Sequence, residues 1–341
     1  MLKVGLTYDL RSDYLAMGLS EEETAEFDSE VTVAGLEGAL TRLGFKVERI
    51  GHVKALAARL VAGERWDFVF NICEGLKGLA REAQVPALLE AYDIPYTFSD
   101  PLTLSAGLDK AMSKRIARAQ GVPTPDFTLF ETEADLARID LPYPLFAKPV
   151  AEGSGKGVSA RSRCASKAEL KAEVVRLLAK FQQPVLIETY LPGREFTVGV
   201  TGTGTNARVL GLMEVLPQKS AEAYAYGYEN KENYEGRIEY AVPDDEEAKR
   251  AAAVALAAHR AMRCRDASRS DIRSDSKGEP HFIEINPLAG LNPEKSDLVF
   301  ITRFVGLSYD DLIARIVESL FERESHLKAR HEKPKKHSGS A

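Results

Sequence analysis

The chain has little that would mark a secreted, membrane or nucleic-acid-binding protein. Three cysteines in 341 residues (Cys73, Cys164, Cys264) form no CxxC pair, no metal-ligand spacing and no disulfide framework. A reducing cytoplasm is the expected location. No apolar run approaches the ~18 residues that span a bilayer. The opening Met1-Leu2-Lys3-Val4-Gly5-Leu6 is too short for a signal peptide and runs into acids. There is no excess of basic charge: 45 Lys and Arg stand against 51 Asp and Glu, a net −6, so no nucleic-acid partner is expected. The 44% apolar and 28% charged residues exclude disorder and coiled coil for the bulk of the chain. Only the end departs, where 326–341 is rich in Lys, Arg and His and reads as a solvated, disordered tail.

The length implies two or three domains. In the first hundred residues strands alternate with helices: Lys3–Tyr8, Lys46–Ile50, Asp67–Cys73 and Pro95–Thr97 as strands, Ser29–Leu43, Val53–Val61 and Ala83–Tyr92 as helices. Strands joined through helices make a parallel sheet. Between Tyr8 and Ser29 lies an acidic stretch, Leu19 to Asp28, long enough to be a functional loop. A second region begins near Ser105. It holds a basic helix at Asp109–Gln120, strands at Phe127–Phe130, Pro144–Val150, Gly157–Ser162 and Val185–Tyr190, and a helix at Lys167–Phe181 opened by the Ser166-x-x-Glu169 capping pattern. A third carries strands at Glu195–Gly202, Ala207–Leu216 and Arg237–Val242, and a helix at Glu246–Met262. A hairpin follows at Ser268–Ser274 and Pro280–Asn286, then a closing helix at Tyr309–Glu324.

The hairpin carries the strongest chemical signal. Residues two apart in a strand share a face. Arg269 and Asp271 therefore point one way, and Glu284 and Asn286 do the same on the paired strand. Two carboxylates and an amide oxygen form a hard donor set suited to Mg²⁺ beside phosphates; taken alone, the pattern also fits a charged surface hairpin. The second signal is Lys148-Pro-Val-Ala-Glu152-Gly-Ser-Gly-Lys156-Gly157, a glycine-rich turn that would let N–H groups approach phosphate oxygens. It is no Walker A motif: that would need Gly where Ala151 stands and Ser or Thr where Gly157 stands. Lys148, with Phe146 and Val150 on its strand, is costly to bury without an anionic partner. Lys156 is expected on a mobile turn. The third signal is Glu188-Thr-Tyr-Leu191-Pro-Gly-Arg-Glu195, two strands meeting at a Pro-Gly break with a glutamate on each. Gly202-Thr-Gly204 leads into a strand rather than a helix and is no dinucleotide site.

In this order the pieces resemble the ATP-grasp superfamily, and within it the D-alanine–D-alanine ligase family. The carrying residues are Asp109-Lys110, Lys148-Pro149, Glu152 to Gly157, Ile187-Glu188…Glu195-Phe-Thr-Val, Lys231, Arg269-x-Asp271 and Glu284-x-Asn286…Gly290. The resemblance implies a fold of α/β and α+β parts in three domains: an N-terminal parallel-sheet substrate domain (1–104), a central domain with the glycine-rich loop (105–193) and a C-terminal antiparallel-sheet domain with the metal site (194–325), before the tail (326–341). It implies a homodimer acting on small amino-acid-like substrates, using ATP and Mg²⁺, with Mn²⁺ as the alternative. It assigns ATP to Lys110, Lys148, Glu152, Gly153, Gly155, Gly157, Glu188, Leu191 and Glu195, and the metal to Asp271, Glu284 and Asn286. Catalysis falls to Lys231, Arg269, Gly290 and Ser154. The implied reaction is peptide-bond formation through an acylphosphate.

The departures lie on the substrate side. Asp28 stands in for the glutamate that holds the first ammonium, Glu232 replaces a tyrosine, and Ser296 lies in a loop one residue longer. Cys73-Glu74-Gly75…Arg81-Glu82 replaces a histidine-led run. Altered substrate choice is the expectation. The competing reading is a nucleotide-binding regulatory protein without ligase activity, against which the intact Arg269, Asp271, Glu284 and Asn286 stand.

Overall fold

Apolar alternation and helical spacing resolve into three sheets in a computed structural model that describes residues 1–218 and 236–332. In the first sheet, β1 (Lys3–Thr7) lies between β2 (Lys46–Gly51) and β3 (Phe68–Asn71), parallel to both. The expected fourth strand at 95–97 makes only a single bridge, Val69 to Tyr96. The acidic stretch is not a bare loop. It follows α1 (Arg11–Ala16) and folds back on it, with Leu10 bridging Asp28.

The core of this sheet is completed from the far end of the chain. Val33, Leu36 and Leu40 of α2 (Glu30–Arg42) share one cluster with Leu312, Ile316 and Leu320 of α10 (Tyr309–Arg323). Helices α3 (Val53–Val61) and α4 (Gln84–Ala91) pack together at the sheet's other core, around Trp66 and Val69. A short helix, α11 (Ser325–His331), follows α10 and corrects the reading of 326–341 as a disordered tail for its first six residues. Leu327, the one large apolar residue there, is buried, Arg330 pairs with Asp67 at 2.6 Å, and the His331 ring stacks on Phe45.

The second sheet, in the order β4 (Phe127–Phe130), β7 (Val185–Thr189), β5 (Leu145–Pro149), β6 (Arg163–Cys164), is antiparallel. Leu145, Ala147, Val185 and Ile187 face α7 (Lys167–Phe181). By strand alternation, Lys148 and Glu188 take the opposite face. The strand expected at 157–162 is instead a 3₁₀ turn, Ala160–Ser162, with the Ser159 hydroxyl accepting from the Arg161 N–H.

The third sheet runs β10 (Ile238–Ala241), β9 (Arg208–Pro217), β8 (Glu195–Thr201), β11 (Ala267–Ser274), β12 (Pro280–Asn286). Helix α8 (Glu246–Ala261) covers one face with an alanine stripe against Phe196, Val198, Ile272 and Phe282. The other face carries Arg269, Asp271, Glu284 and Asn286. Besides α1 and α11, two further helices among the described residues escape the sequence reading: α5 (Pro101–Leu108), directly before α6 (Lys110–Ala119), and α9 (Asp297–Phe304). All three cysteines are buried free thiols. No helix among the described residues is long and apolar enough to cross a membrane.

Candidate active site

The polar faces of the second and third sheets meet at the glycine-rich turn. In the β11–β12 ladder Asp271 stands opposite Glu284 and Arg269 opposite Asn286, as period-two alternation demands. Arg269 donates to Asp271 Oδ2 at 2.5 Å, lies 3.9 Å from Asp297, and donates to Asn286 Oδ1 at 3.0 Å once that amide is turned oxygen-inward. Burial disfavours the Arg269 charge, but these carboxylates outweigh it and keep it protonated. Lys110 sits 3.4 Å from Glu284 and donates to the Glu152 carbonyl at 2.5 Å.

Below this patch lies a wholly buried charge triad. The two Glu188 oxygens meet Lys114 and Lys148, each at 2.8 Å. Burial alone would raise the Glu188 carboxyl, but the two ammonium groups hold it below the usual range. Lys148 is likewise disfavoured by burial and raised overall by Glu188 and Glu284. Lys114 was not legible as a site residue. It falls on the buried face of α6, four residues after Lys110, at a position where spacing expects an apolar side chain.

The turn itself is pinned rather than mobile, which corrects the expectation for Lys156. Its ammonium pairs with Glu152 at 2.6 Å and Glu26 at 3.4 Å. Glu26, from the acidic stretch, also accepts from the Gly153 N–H at 2.6 Å and from Arg81 at 3.1 Å. Burial works against the Glu26 carboxylate, but Arg81, Lys156 and the Gly153 N–H together hold it below its ordinary range. An anion already occupies the N–H cradle. Glu26→Gln is therefore expected to tighten ATP binding severalfold by removing a competitor for the phosphate position; calorimetric titration with ATP checks it, and unchanged affinity would mean the contact does not hold the turn shut.

Two cavities open on this region. One, of about 90 Å³, is lined by Lys110, Lys148, Glu152, Gly155, Glu188, Leu191, Glu195, Asp271 and Glu284, with Phe146 and Tyr190 as an apolar wall. That volume is below the ~300 Å³ at which small-molecule sites begin, and Glu152, Gly155 and Lys156 of the pinned turn line it. The other, of about 480 Å³, is lined by Asp28, Glu152, Gly153, Ser154, Arg269, Glu284, Asn286, Gly290 and Ser296. Lys110, Glu152 and Glu284 belong to both. Gly157 lines neither: at φ +79° its Cα packs where a Cβ would come within 2.6 Å of Pro149. The Ser296 hydroxyl accepts from the Asn292 N–H at 2.8 Å. Lys231 and Glu232 lie outside the described residues.

The D-ala D-ala ligase C-terminus family matches residues 116–318. A D-alanine–D-alanine ligase from Aquifex aeolicus is 32% identical over 281 residues, covering 82% of this chain and 91% of that protein. Among solved structures, the D-alanine–D-alanine ligase from Bacillus anthracis complexed with ATP superposes with a TM-score of 0.71 at 21% identity, covering 96% of this chain and all of that one. The VanG D-Ala:D-Ser ligase from Enterococcus faecalis also scores 0.71, at 20% identity over 94% of this chain and 99% of its own.

Proposed function

Because the chain belongs to the D-alanine–D-alanine ligase family, we propose that it is an ATP-dependent ligase joining the carboxylate of one amino-acid-like substrate to the amine of a second, with a substrate choice that departs from D-alanine. One observation carries the reading. A nucleotide-side cavity and a substrate-side cavity share Lys110, Glu152 and Glu284, so a γ-phosphate and a carboxylate brought from opposite sides meet there.

Phosphoryl transfer needs positioning and charge stabilisation. Lys110 and Lys148 supply positive charge, and the Gly153 and Gly155 region supplies N–H groups once Glu26 withdraws. The Phe146–Tyr190–Leu191 wall suits a purine, with Glu195 beside it for the ribose. A carboxylate oxygen attacks the γ-phosphorus, the bridging P–O bond breaks, and ADP leaves. The second substrate's amine attacks the acyl carbon, its proton is lost, and the C–O bond to phosphate breaks. Arg269 and the Gly290 N–H hold the oxyanion formed between those two events, and Ser154 faces the same cavity. Asp271, Glu284 and Asn286 are an all-oxygen donor set that fits Mg²⁺, or Mn²⁺ in its place, which would neutralise phosphate charge. The three-domain division at 104, 193 and 325, Lys231 as a γ-phosphate contact, Glu232 and Ser296 as substrate contacts, a homodimer and a cytoplasmic location complete the proposal.

The test is pair-dependent release of ADP and phosphate across a panel of amino acids, with the dipeptide identified by mass spectrometry. ATP binding without turnover for any pair would favour the regulatory alternative. A second expectation concerns the lysines: Lys148→Ala should weaken ATP binding by about tenfold, roughly 1.4 kcal/mol, and by more than Lys156→Ala. Lys148 is aimed from a strand, whereas Lys156 must leave Glu26 and Glu152 before it can serve a phosphate. Affinities in the reverse order would make Lys156 the principal ligand.

A further inference from the structure

The wall that the first hundred residues give to the 480 Å³ cavity is acidic. Asp28, Glu74 and Glu82 all line it. Glu74 and Glu82 are brought side by side by the closure of their loop: Gly75 lies at φ +72°, and a Cβ there would stand 2.5 Å from the Arg81 carbonyl oxygen. Glu82 is only 8% exposed. Among the described residues, no hydrogen bond or ion pair reaches the carboxylate of either. The nearby cation that could serve them, Arg81, is spent on Glu26 and the Ala151 carbonyl. The other cations lining the cavity are also engaged: Arg11 with Glu21, Lys110 with Glu284 and the Glu152 carbonyl, Arg269 with Asp271; Lys295, on the opposite wall, pairs with neither glutamate.

Buried carboxylates without counter-charge are expensive. Burial, only partly offset by Arg81 and Lys110 at Glu82, by Thr32 at Asp28 and by Arg81 at Glu74, pushes Glu82 up to about 7, Asp28 up to about 8, and Glu74 well above its ordinary value. A single α-ammonium, assigned to Asp28, balances one of three carboxylates and leaves the Glu74–Glu82 pair unmatched.

Building on the ligase reading above, we propose that Glu74 and Glu82 hold the side-chain cation of an amino-acid substrate, so that one of the two substrates is a basic amino acid of the lysine or ornithine kind.

The test compares isosteres. Phosphate release is measured with lysine and with norleucine, in both enantiomers, against a fixed panel of second substrates. Lysine is expected to exceed norleucine by at least about tenfold in kcat/KM, the scale of a buried charge-assisted contact. In Glu74→Gln the lysine-to-norleucine ratio should fall towards one. Equal or better turnover of norleucine by the unaltered protein, or an undiminished ratio in the variant, overturns the inference while leaving the ligase reading intact. If no pair supports turnover, the ligase reading falls, and calorimetric titration of lysine and norleucine into the protein saturated with a non-hydrolysable ATP analogue decides the cation site: preference for lysine supports it, equal affinity overturns it.

Discussion

Glu284→Gln is expected to lower ATP turnover by at least ~10²-fold, about 2.7 kcal/mol of transition-state stabilisation. Glu284 faces Asp271 across the β11–β12 ladder and lines both cavities. The substitution leaves Asp271 as the sole carboxylate beside two amides, and a hard divalent ion binds carboxylates in preference to amides. It also deprives Lys110 of its nearest carboxylate, at 3.4 Å, so two phosphate-directed groups are disturbed by one change. Steady-state ADP release at increasing Mg²⁺ is the measurement. Partial recovery at high Mg²⁺ is expected, because the lost ligand lowers affinity without removing the site. Near-normal turnover at saturating Mg²⁺ would take this hairpin out of the reaction centre.

The other large effect is on stability. Lys114→Met should cost about 3–5 kcal/mol, the range for removing one partner of a buried ion pair. Lys114 is fully buried between Glu188 and the third sheet, and it also donates to Thr124 Oγ1 at 3.1 Å and the Phe282 carbonyl at 3.3 Å. The Phe282 carbonyl keeps Thr124 as a donor at 2.8 Å, so the loss falls on Glu188. One of its oxygens would then face no cation in a site closed to water. The urea unfolding midpoint should drop markedly. Lys114→Arg should not restore it, since a fully enclosed site has no room for a guanidinium. An unchanged midpoint would mean that Lys148 alone satisfies Glu188.

The parts of the fold read correctly from sequence are those that local periodicity determines. The hairpin strands observed at Ala267–Ser274 and Pro280–Asn286 match the reading because alternation and an Asp-Ser-Lys-Gly turn fix both register and face. Helix α7 matches because Ser166 caps it, accepting from the Glu169 N–H. Helix α5 was also signalled locally, by Asp100 accepting from the Thr103 N–H ahead of Pro101 at its first position, but its Ser and Gly residues masked the helical spacing. What no local pattern encodes is the meeting of distant segments. Glu26 reaches Gly153 across 127 residues of chain, and Glu74 acquires its meaning only beside Asp28 and Glu82. Lys114 is hidden for a related reason: its partners, Glu188 and Phe282, come from two different sheets.

The core shared by α2 and α10 also governs the order in which this protein can be made. Val33, Leu36 and Leu40 are synthesised about 280 residues before the surface that covers them, Leu312, Ile316 and Leu320. At ~5–20 residues per second, that apolar face waits on the order of 15–50 s for its partner. The parallel sheet therefore cannot finish folding on the nascent chain. A fragment ending before α10 should aggregate through this face.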